Sequence, residues 1–434
     1  MAAAASLLWV AGRPIGALAH ANLVRSDPPD LCSPQAQPRL LPGDPRCASG
    51  AVLPEMPAGV RLLFNEPVVL VGRGVRVLAP SGRRVERGPA RVSGAEVTVG
   101  VDAAGDGTYR VIWRVIAQDT HPSQGAFAFS VGRTGAPPGS AASTGAPGVG
   151  PITGLILQAF ARALHLVGYA LSFGALAFRK MVLEPLALTG EETERRVWRL
   201  AGAGVVALLA AEPLALLAQT VSLSAGSGQP LDPEVLGGAL DSSFGRVLAQ
   251  RLGAALLLWV LVGAASARPA RAAAAALVLG LALAFVDGEA AHAVGTRPSW
   301  LGLGLNTLHE AAMGAWVGGL VGLLSVWRVP TIAVRRVEIA VRTGRLAARS
   351  AVVLAATGAG MAVQHLRGPA DLVATAYGET LAAKLILFLA ALWLAWGAAQ
   401  AAIDRRPRAW IREAAVLLTV LVLAGLLASL PPPV

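Results

Sequence analysis

Tyr109-Arg110-Val111-Ile112-Trp113-Arg114-Val115 places an apolar side chain at every second position, and the same period runs through the sequence around it. Val60, Leu62 and Phe64 follow it, as do Val75 and Val77, Val97, Val99 and Val101, and Phe127, Phe129 and Val131. Successive side chains of a strand point to opposite faces, so this alternation predicts half-buried β-strands with one face in a core. Ala79-Pro80-Ser81-Gly82 and Ala104-Gly105-Asp106-Gly107 supply turns between them. Roughly seven short strands at this spacing predict an all-β Greek-key sandwich, with its loops gathered at two ends.

Working outward, the sandwich is assigned to residues 20–133, and the composition then changes. Residues 134–150, rich in Gly, Ala, Ser and Pro, have little to bury and read as a flexible linker. Beyond them, apolar runs recur at 152–177, 200–221, 247–266, 272–287, 302–326, 346–365, 380–402 and 413–430. Runs of about 20 residues cross a bilayer as helices, so residues 151–430 are expected to form a bundle of about eight transmembrane helices. The fourth run is the shortest.

The whole chain, 434 residues with 54% hydrophobic and 15% charged, is too long and apolar for one small soluble domain. Its net charge of +11 is not gathered in a Lys/Arg tract interleaved with aromatics, which argues against a nucleic-acid partner. Arg179, Lys180, Arg195, Arg196 and Arg199, then Arg268 and Arg271, then Arg328, Arg335, Arg336, Arg342 and Arg345, then Arg405, Arg406 and Arg408 instead fall in alternate loops. The positive-inside rule makes those loops cytoplasmic, which predicts a multi-pass protein of the inner or plasma membrane with the sandwich outside the cytoplasm.

Residues 1–19 give the same orientation as a signal peptide. An apolar stretch from Ala2 to Ala11 precedes the small-x-small sequence Ala17-Leu18-Ala19, although Arg13 follows the apolar stretch instead of leading it. An uncleaved anchor or a misassigned start is the alternative. The two cysteines, Cys32 and Cys47, follow shortly after; in an exported segment one disulfide is expected, with a Cys-pair metal site as the other reading.

Cleavage before His20 would free an α-amine beside an imidazole, and the two nitrogens chelate one ion in the tetragonal geometry that Cu(II) favours. The sandwich has a second histidine, His121, in Gln118-Asp119-Thr120-His121-Pro122 between two strands. His20, Asp119 and His121 together offer three nitrogens and one oxygen, a set suited to Cu(II). The competing reading has Asp119 capping a turn and His121 simply exposed.

These residues sit inside a wider pattern. Ala19-His20-Ala21-Asn22-Leu23-Val24-Arg25-Ser26-Asp27-Pro28, Gly50-Ala51-Val52-Leu53, Leu63-Phe64-Asn65-Glu66-Pro67-Val68, the stretch from Tyr109 to Val115, Asp119-Thr120-His121-Pro122 and Gly125 to Gly132 together resemble the CopC copper-binding proteins. The resemblance covers nearly all of 20–133 and implies Cu(II) binding by His20, Asp119 and His121. The segment Leu31 to Ala48 departs from the usual pattern, and of the Met-rich loop of some relatives only Met56 is near. The membrane half is similar to the CopD copper resistance and uptake family through Asp241-Ser242-Ser243-Phe244-Gly245-Arg246, Leu308 to Leu320, and Tyr377 to Leu385, although Asn306 stands where an acidic residue is expected. The order of the two implies a fused copper-import protein whose partners are copper, the lipid bilayer and downstream copper proteins.

The membrane histidines add candidates of their own. His309 and Met313 are four apart on the fifth run, and Met361 and His365 are four apart on the sixth, so each pair shares a helix face. If the two helices are antiparallel neighbours, both histidines fall near the outer end and both methionines a turn deeper, a relay suited to Cu(I). Packing methionines and hydrogen-bonded histidines are the alternative. His292 is a weaker candidate for an entry ligand, and His165, near mid-bilayer on the first helix, is a weak metal candidate too. Glu212, beside Pro213, and Lys384 belong to the same class as His165, and these ionisable groups either move protons or ions or pair with one another. Two of His165, His292, His309 and His365 ligating haem b would make a redox protein, and an amino-terminal histidine chelate in an open site would make an oxidative enzyme. No nucleophile constellation, P-loop or metal-hydrolase motif occurs, so ATP-driven pumping by this chain is not expected, and the expectation is a copper carrier and not an enzyme. Gly314, Gly318 and Gly319 are expected to permit close helix packing.

Overall fold

The computed structural model of the chain describes residues 21–31, 50–117, 120–135, 149–224, 231–290, 298–403, 405–430 and 432. They form two compact units: the described residues up to Gly154 with Gln219–Arg246, and Leu155–Ala218 with Val247 onward.

The first unit is built on eight strands: β1 (Leu23–Asp27), β2 (Ala51–Leu53), β3 (Gly59–Phe64), β4 (Val68–Leu78), β5 (Glu86–Ser93), β6 (Glu96–Val101), β7 (Gly107–Ala117) and β8 (Pro122–Val131). They make two four-stranded sheets, ordered β1-β3-β6-β5 and β2-β8-β7-β4, antiparallel throughout except where β2 runs parallel to β8. This is the expected sandwich. The alternating residues face inward: Leu62, Phe64, Val97 and Val99 from one sheet meet Tyr109, Val111, Trp113 and Phe129 from the other. Phe64 meets Trp113 edge-on with ring centroids 5.1 Å apart, and Tyr109 stacks on Phe129 at 5.2 Å. The three-residue β2 and the largely exposed β5 lack an apolar alternation, which is why period alone suggests about seven strands.

The helices longer than one turn among the described residues are α1 (Val149–Phe178), α2 (Glu191–Ser224), α3 (Pro233–Leu240), α4 (Ser243–Ala264), α5 (Pro269–Glu289), α6 (Ser299–Val326), α7 (Arg336–His365), α8 (Ala376–Gln400) and α9 (Arg406–Leu427). The short α3 belongs to the first unit. Asp232 caps it by accepting from the Glu234 N–H at 3.0 Å. Val235 and Ala239 pack on Val71 and Ile116, and a Cβ added at Gly238 would lie 2.4 Å from the backbone nitrogen of Gly72. Glu234 pairs with Arg76 at 3.2 Å and Asp232 with the buried Arg114 at 3.7 Å. Burial, reinforced by Arg76, pulls the Arg114 guanidinium below its ordinary value, while Asp232 and Glu234 act in the opposite direction. Chain order puts this segment with the membrane helices; its contacts group it with the sandwich.

The second unit is helical. Seven helices among the described residues are long and apolar enough to cross a membrane, and the chain is a multi-pass membrane protein. The fifth expected span, 302–326, is the one outside those seven; it falls on α6, which has the length but carries Asn306, His309 and Glu310 among its apolar residues. The weakest expected span, 272–287, becomes the 21-residue α5, extended by Pro269 at its first turn. Ile386, Leu389, Trp393 and Trp396 leave an exposed apolar face on α8, as a membrane-spanning helix requires. Helices α1 and α6 cross at their glycines: a Cβ at Gly174 would lie 1.9 Å from the Gly314 carbonyl oxygen, and one at Gly318 would lie 1.9 Å from that of Ala170. Gly314 and Gly318 therefore serve close packing as expected; Gly319 faces the Leu346 side chain.

Candidate functional site

Two places in the chain gather the residues that sequence reading singled out. In the sandwich, β7 and β8 pair from Gly107↔Val131 to Ile116↔Pro122, and the turn closing this hairpin carries His121. The Ala117 N–H donates to the His121 carbonyl at 2.9 Å, and the Thr120 N–H donates to Ala117 at 3.0 Å. Thr120 has a φ of 69°, in the left-handed region that a threonine rarely adopts, so the turn is held by its surroundings. One such contact comes from Gln219, whose side-chain amide donates to the Thr120 carbonyl at 3.0 Å. His121 is buried, not the exposed turn residue of the competing reading.

The start of the described chain comes to the same place. Ser123, two residues past His121 and also buried, donates through Oγ to the carbonyl of Ala21 at 2.8 Å. Asn22 is fixed beside it, its N–H donating to Asn65 Oδ1 at 2.7 Å and its carbonyl accepting from the Asn65 N–H. The residue that follows His20 is thus tied to the strand that follows His121. His20, Asp119, Cys32, Cys47 and His292 themselves lie outside the described residues.

In the membrane unit, His165 on α1 stands between two carboxylates. Its Nδ1 lies 2.9 Å from Glu212 Oε1 on α2, and its Nε2 lies 3.0 Å from Asp287 Oδ2 on α5. Arg251 on α4 donates through Nε to the other Asp287 oxygen at 2.5 Å. Glu310 on α6 completes the group: one ligand atom each of His165, Asp287 and Glu310 lie within 4.8 Å of one another, and all three residues are buried. Five helices thus each supply one charged or titratable side chain, a concentration that a bilayer interior tolerates only when the groups compensate one another. His165 and Glu212 pair, as one reading of the sequence allowed, and the described ion pairs do not include Lys384.

Sequence reading missed Asp287, Arg251 and Glu310. Asp287 lies at the end of an otherwise apolar run, and the signal for it is an acidic residue in the last turn of a membrane helix. Glu310 was in view only as part of a motif. It is the neighbour of His309, and one residue of helix turns it about 100° away, toward a different set of helices.

The two His/Met pairs lie on neighbouring helices, as expected, but in a different register. His309 Nδ1 is 2.9 Å from Thr357 Oγ1 on α7, and a Cβ at Gly360 would meet Leu305 Cδ1 at 3.0 Å. His309 is therefore level with Thr357, eight residues from His365, which is about 12 Å along the axis. His365 donates through Nδ1 to the Met361 carbonyl at 2.8 Å and tilts against Tyr377. Met313 packs against the apolar core of the unit. The four side chains are not gathered at one depth, because antiparallel helices match residues by register and equal spacing within each pair does not fix that register.

A β-sandwich with a histidine turn beside its first strand, followed by a helical membrane unit with buried ionisable groups, defines a fused two-part membrane protein. Residues 44–132 match the CopC domain family, and residues 153–302 match the copper resistance protein D-like, N-terminal domain family. Copper resistance protein C of Pseudomonas syringae pv. tomato is 30% identical over 111 residues, covering 22% of this chain and 82% of that protein. The crystal structure of CopC from Methylosinus trichosporium OB3b is 21% identical over 27% of this chain and 96% of its own, with a TM-score of 0.20. The chain belongs to the CopC family, here joined to a CopD-like membrane domain, and both are copper resistance families.

Proposed function

We propose that the sandwich, outside the cytoplasm, captures Cu(II) with the amine and imidazole of His20, the imidazole of His121 and the carboxylate of Asp119, and that the membrane unit takes copper across or into the bilayer. The observation that carries this reading is the 2.8 Å hydrogen bond from Ser123 to the Ala21 carbonyl, which holds the residue after His20 against the strand that begins beside His121. Removal of residues 1–19 frees the amine, and the chelate then joins a ring whose backbone is already fixed by the β7–β8 turn. Cu(II) suits three nitrogens and one oxygen in a plane. The protein acts as a carrier: the chain supplies ligands at two levels, and no step of bond making in a substrate is required. The alternating basic loops support a sandwich outside the cytoplasm, and a capture site on that side is the reason we read the direction as import. Haem ligation by His165 finds no support in the geometry, since both of its ring nitrogens face carboxylates.

Copper accumulation in cells with and without the protein tests the proposal. Higher accumulation with the wild type, lost in His121→Ala, is expected. Equal accumulation in both strains overturns import, and lower accumulation with the protein present reverses its direction.

A further inference from the structure

We infer that the membrane unit holds its own divalent copper site, with the ion bound by His165 Nε2, Asp287 Oδ2 and a carboxylate oxygen of Glu310, oriented by Glu212 and Arg251. The geometry of the site stands by itself; the choice of copper as its ion rests on the proposed function. Three observations lead to it.

The first is spacing. His165 Nε2 and Asp287 Oδ2 are 3.0 Å apart. Two bonds of about 2.0–2.1 Å from one first-row divalent ion, at a right angle, put their donor atoms about 2.9 Å apart. The pair is already at the separation of adjacent ligands on one ion, and a ligand atom of Glu310 lies within 4.8 Å of both. The second is orientation. Metal-binding histidines characteristically donate their other ring N–H to a carboxylate, which fixes the tautomer and turns the ring. Here Nδ1 lies 2.9 Å from Glu212 Oε1, so when the ion replaces the Nε2 proton the ring keeps its Nδ1–H on that carboxylate and turns the Nε2 lone pair to the ion. Arg251 does the same for Asp287, holding Oδ1 so that Oδ2 faces the imidazole.

The third is charge and unmet bonding capacity. Glu310 Oε1, Glu212 Oε2 and the Tyr169 hydroxyl are buried and have no hydrogen-bond partner among the described residues. Tyr169 is four residues beyond His165 on α1 and so shares its face. Buried polar atoms of this kind are costly unless something binds them. With the ion bound, the ligands are deprotonated: three carboxylates and one guanidinium with a neutral imidazole then sum to −2, which a divalent ion brings to zero and Cu(I) would leave net negative in the membrane. One nitrogen with carboxylate oxygens also suits Cu(II) better than Cu(I), which selects thiolate and thioether ligands. The membrane copper of this chain is thus Cu(II) on nitrogen and oxygen, at a place separate from the His/Met pairs.

The test is Cu(II) stoichiometry of the full chain in detergent, by equilibrium dialysis against copper sulfate, with electron paramagnetic resonance of the bound ion. Wild type is expected to bind two Cu(II), His121→Ala one and His165→Gln one. The copper remaining in His121→Ala should show coupling to a single imidazole nitrogen that persists when His20→Ala is added, which separates it from copper left on the His20 chelate. Glu212→Gln should keep both ions and weaken the membrane one by about 10–100-fold. One ion in the wild type, lost in His121→Ala, overturns this site and leaves the sandwich reading intact. One ion lost only in His165→Gln supports this site and overturns the sandwich reading; none at all overturns both. If His165→Gln does not fold, the wild-type stoichiometry and the nitrogen coupling in His121→Ala decide alone.

Discussion

Asp287 receives two partners at once, with Nε of Arg251 at 2.5 Å on one oxygen and Nε2 of His165 at 3.0 Å on the other. A carboxylate so placed joins α1, α4 and α5 through a single side chain, in a region where each of the three groups would be costly alone.

Asp287→Ala should therefore destabilise the membrane unit strongly, because it leaves the partly buried Arg251 guanidinium and the buried His165 without their shared counter-charge. Breaking a buried pair by removing one partner costs about 3–5 kcal/mol. A fall in the thermal unfolding midpoint in detergent is expected, with Asp287→Glu milder than Asp287→Ala. An unchanged midpoint in both variants would show that the cluster contributes nothing to the fold.

Copper binding by the sandwich depends on cleavage before His20. Sequencing of the mature amino terminus should begin at His20, and His121→Ala should weaken the sandwich copper more than Asp119→Ala, which removes only one oxygen. Retention of Met1 removes the amine from the ligand set and defeats the chelate.

Cys32 and Cys47, read as exported, should be joined. Mass spectrometry of protein isolated without reductant is expected to give a mass two hydrogens below that of the dithiol. Two free thiols contradict either the pairing or the exported location.

Gly318→Leu should separate α1 from α6, since even a Cβ at this position would lie 1.9 Å from the Ala170 carbonyl oxygen. Backbone atoms cannot rotate away as a side chain can, so the cost should exceed the roughly 1–3 kcal/mol of ordinary overpacking. Gel filtration in detergent should show loss of the monodisperse species. Gly253→Leu, at a glycine with open space around it, is the matched control and should be neutral.

Glu86 makes the sandwich sensitive to acid. Burial works against its ionised form, but the backbone N–H groups of Glu86 and Val77 and the Arg84 guanidinium outweigh that and hold the carboxyl below the ordinary glutamate range. Its oxygens accept from the Val77 N–H at 3.2 Å and from Arg84 Nε at 2.7 Å. A carboxylate with a depressed folded-state value stabilises above its unfolded value and loses that contribution as pH falls through the folded one. Hydrogen exchange of β4 should be slower in wild type than in Glu86→Gln at neutral pH, and the difference should vanish in acid. A difference that grows as pH falls would reverse the sign.

The sequence by itself determined what is local. Val97, Val99 and Val101 alternate because a strand has period two, and that pattern is visible within six residues. The membrane helices are equally legible, because crossing a bilayer requires about 20 apolar residues in a row. The His121 turn could be found because two strands flank it. The membrane cluster had no such signature: His165, Glu212, Arg251, Asp287 and Glu310 come from five helices and meet only when those helices pack. His309 and Glu310 are adjacent in the chain, yet helix rotation sends the first to Thr357 and brings the second within reach of Asp287. The His309 and His365 pairs, each well spaced within one helix, fell at different depths because the register between α6 and α7 is set by the whole contact, including Leu305 against Gly360. Periodicity fixes which residues share a face; packing alone decides which faces meet, and at what height.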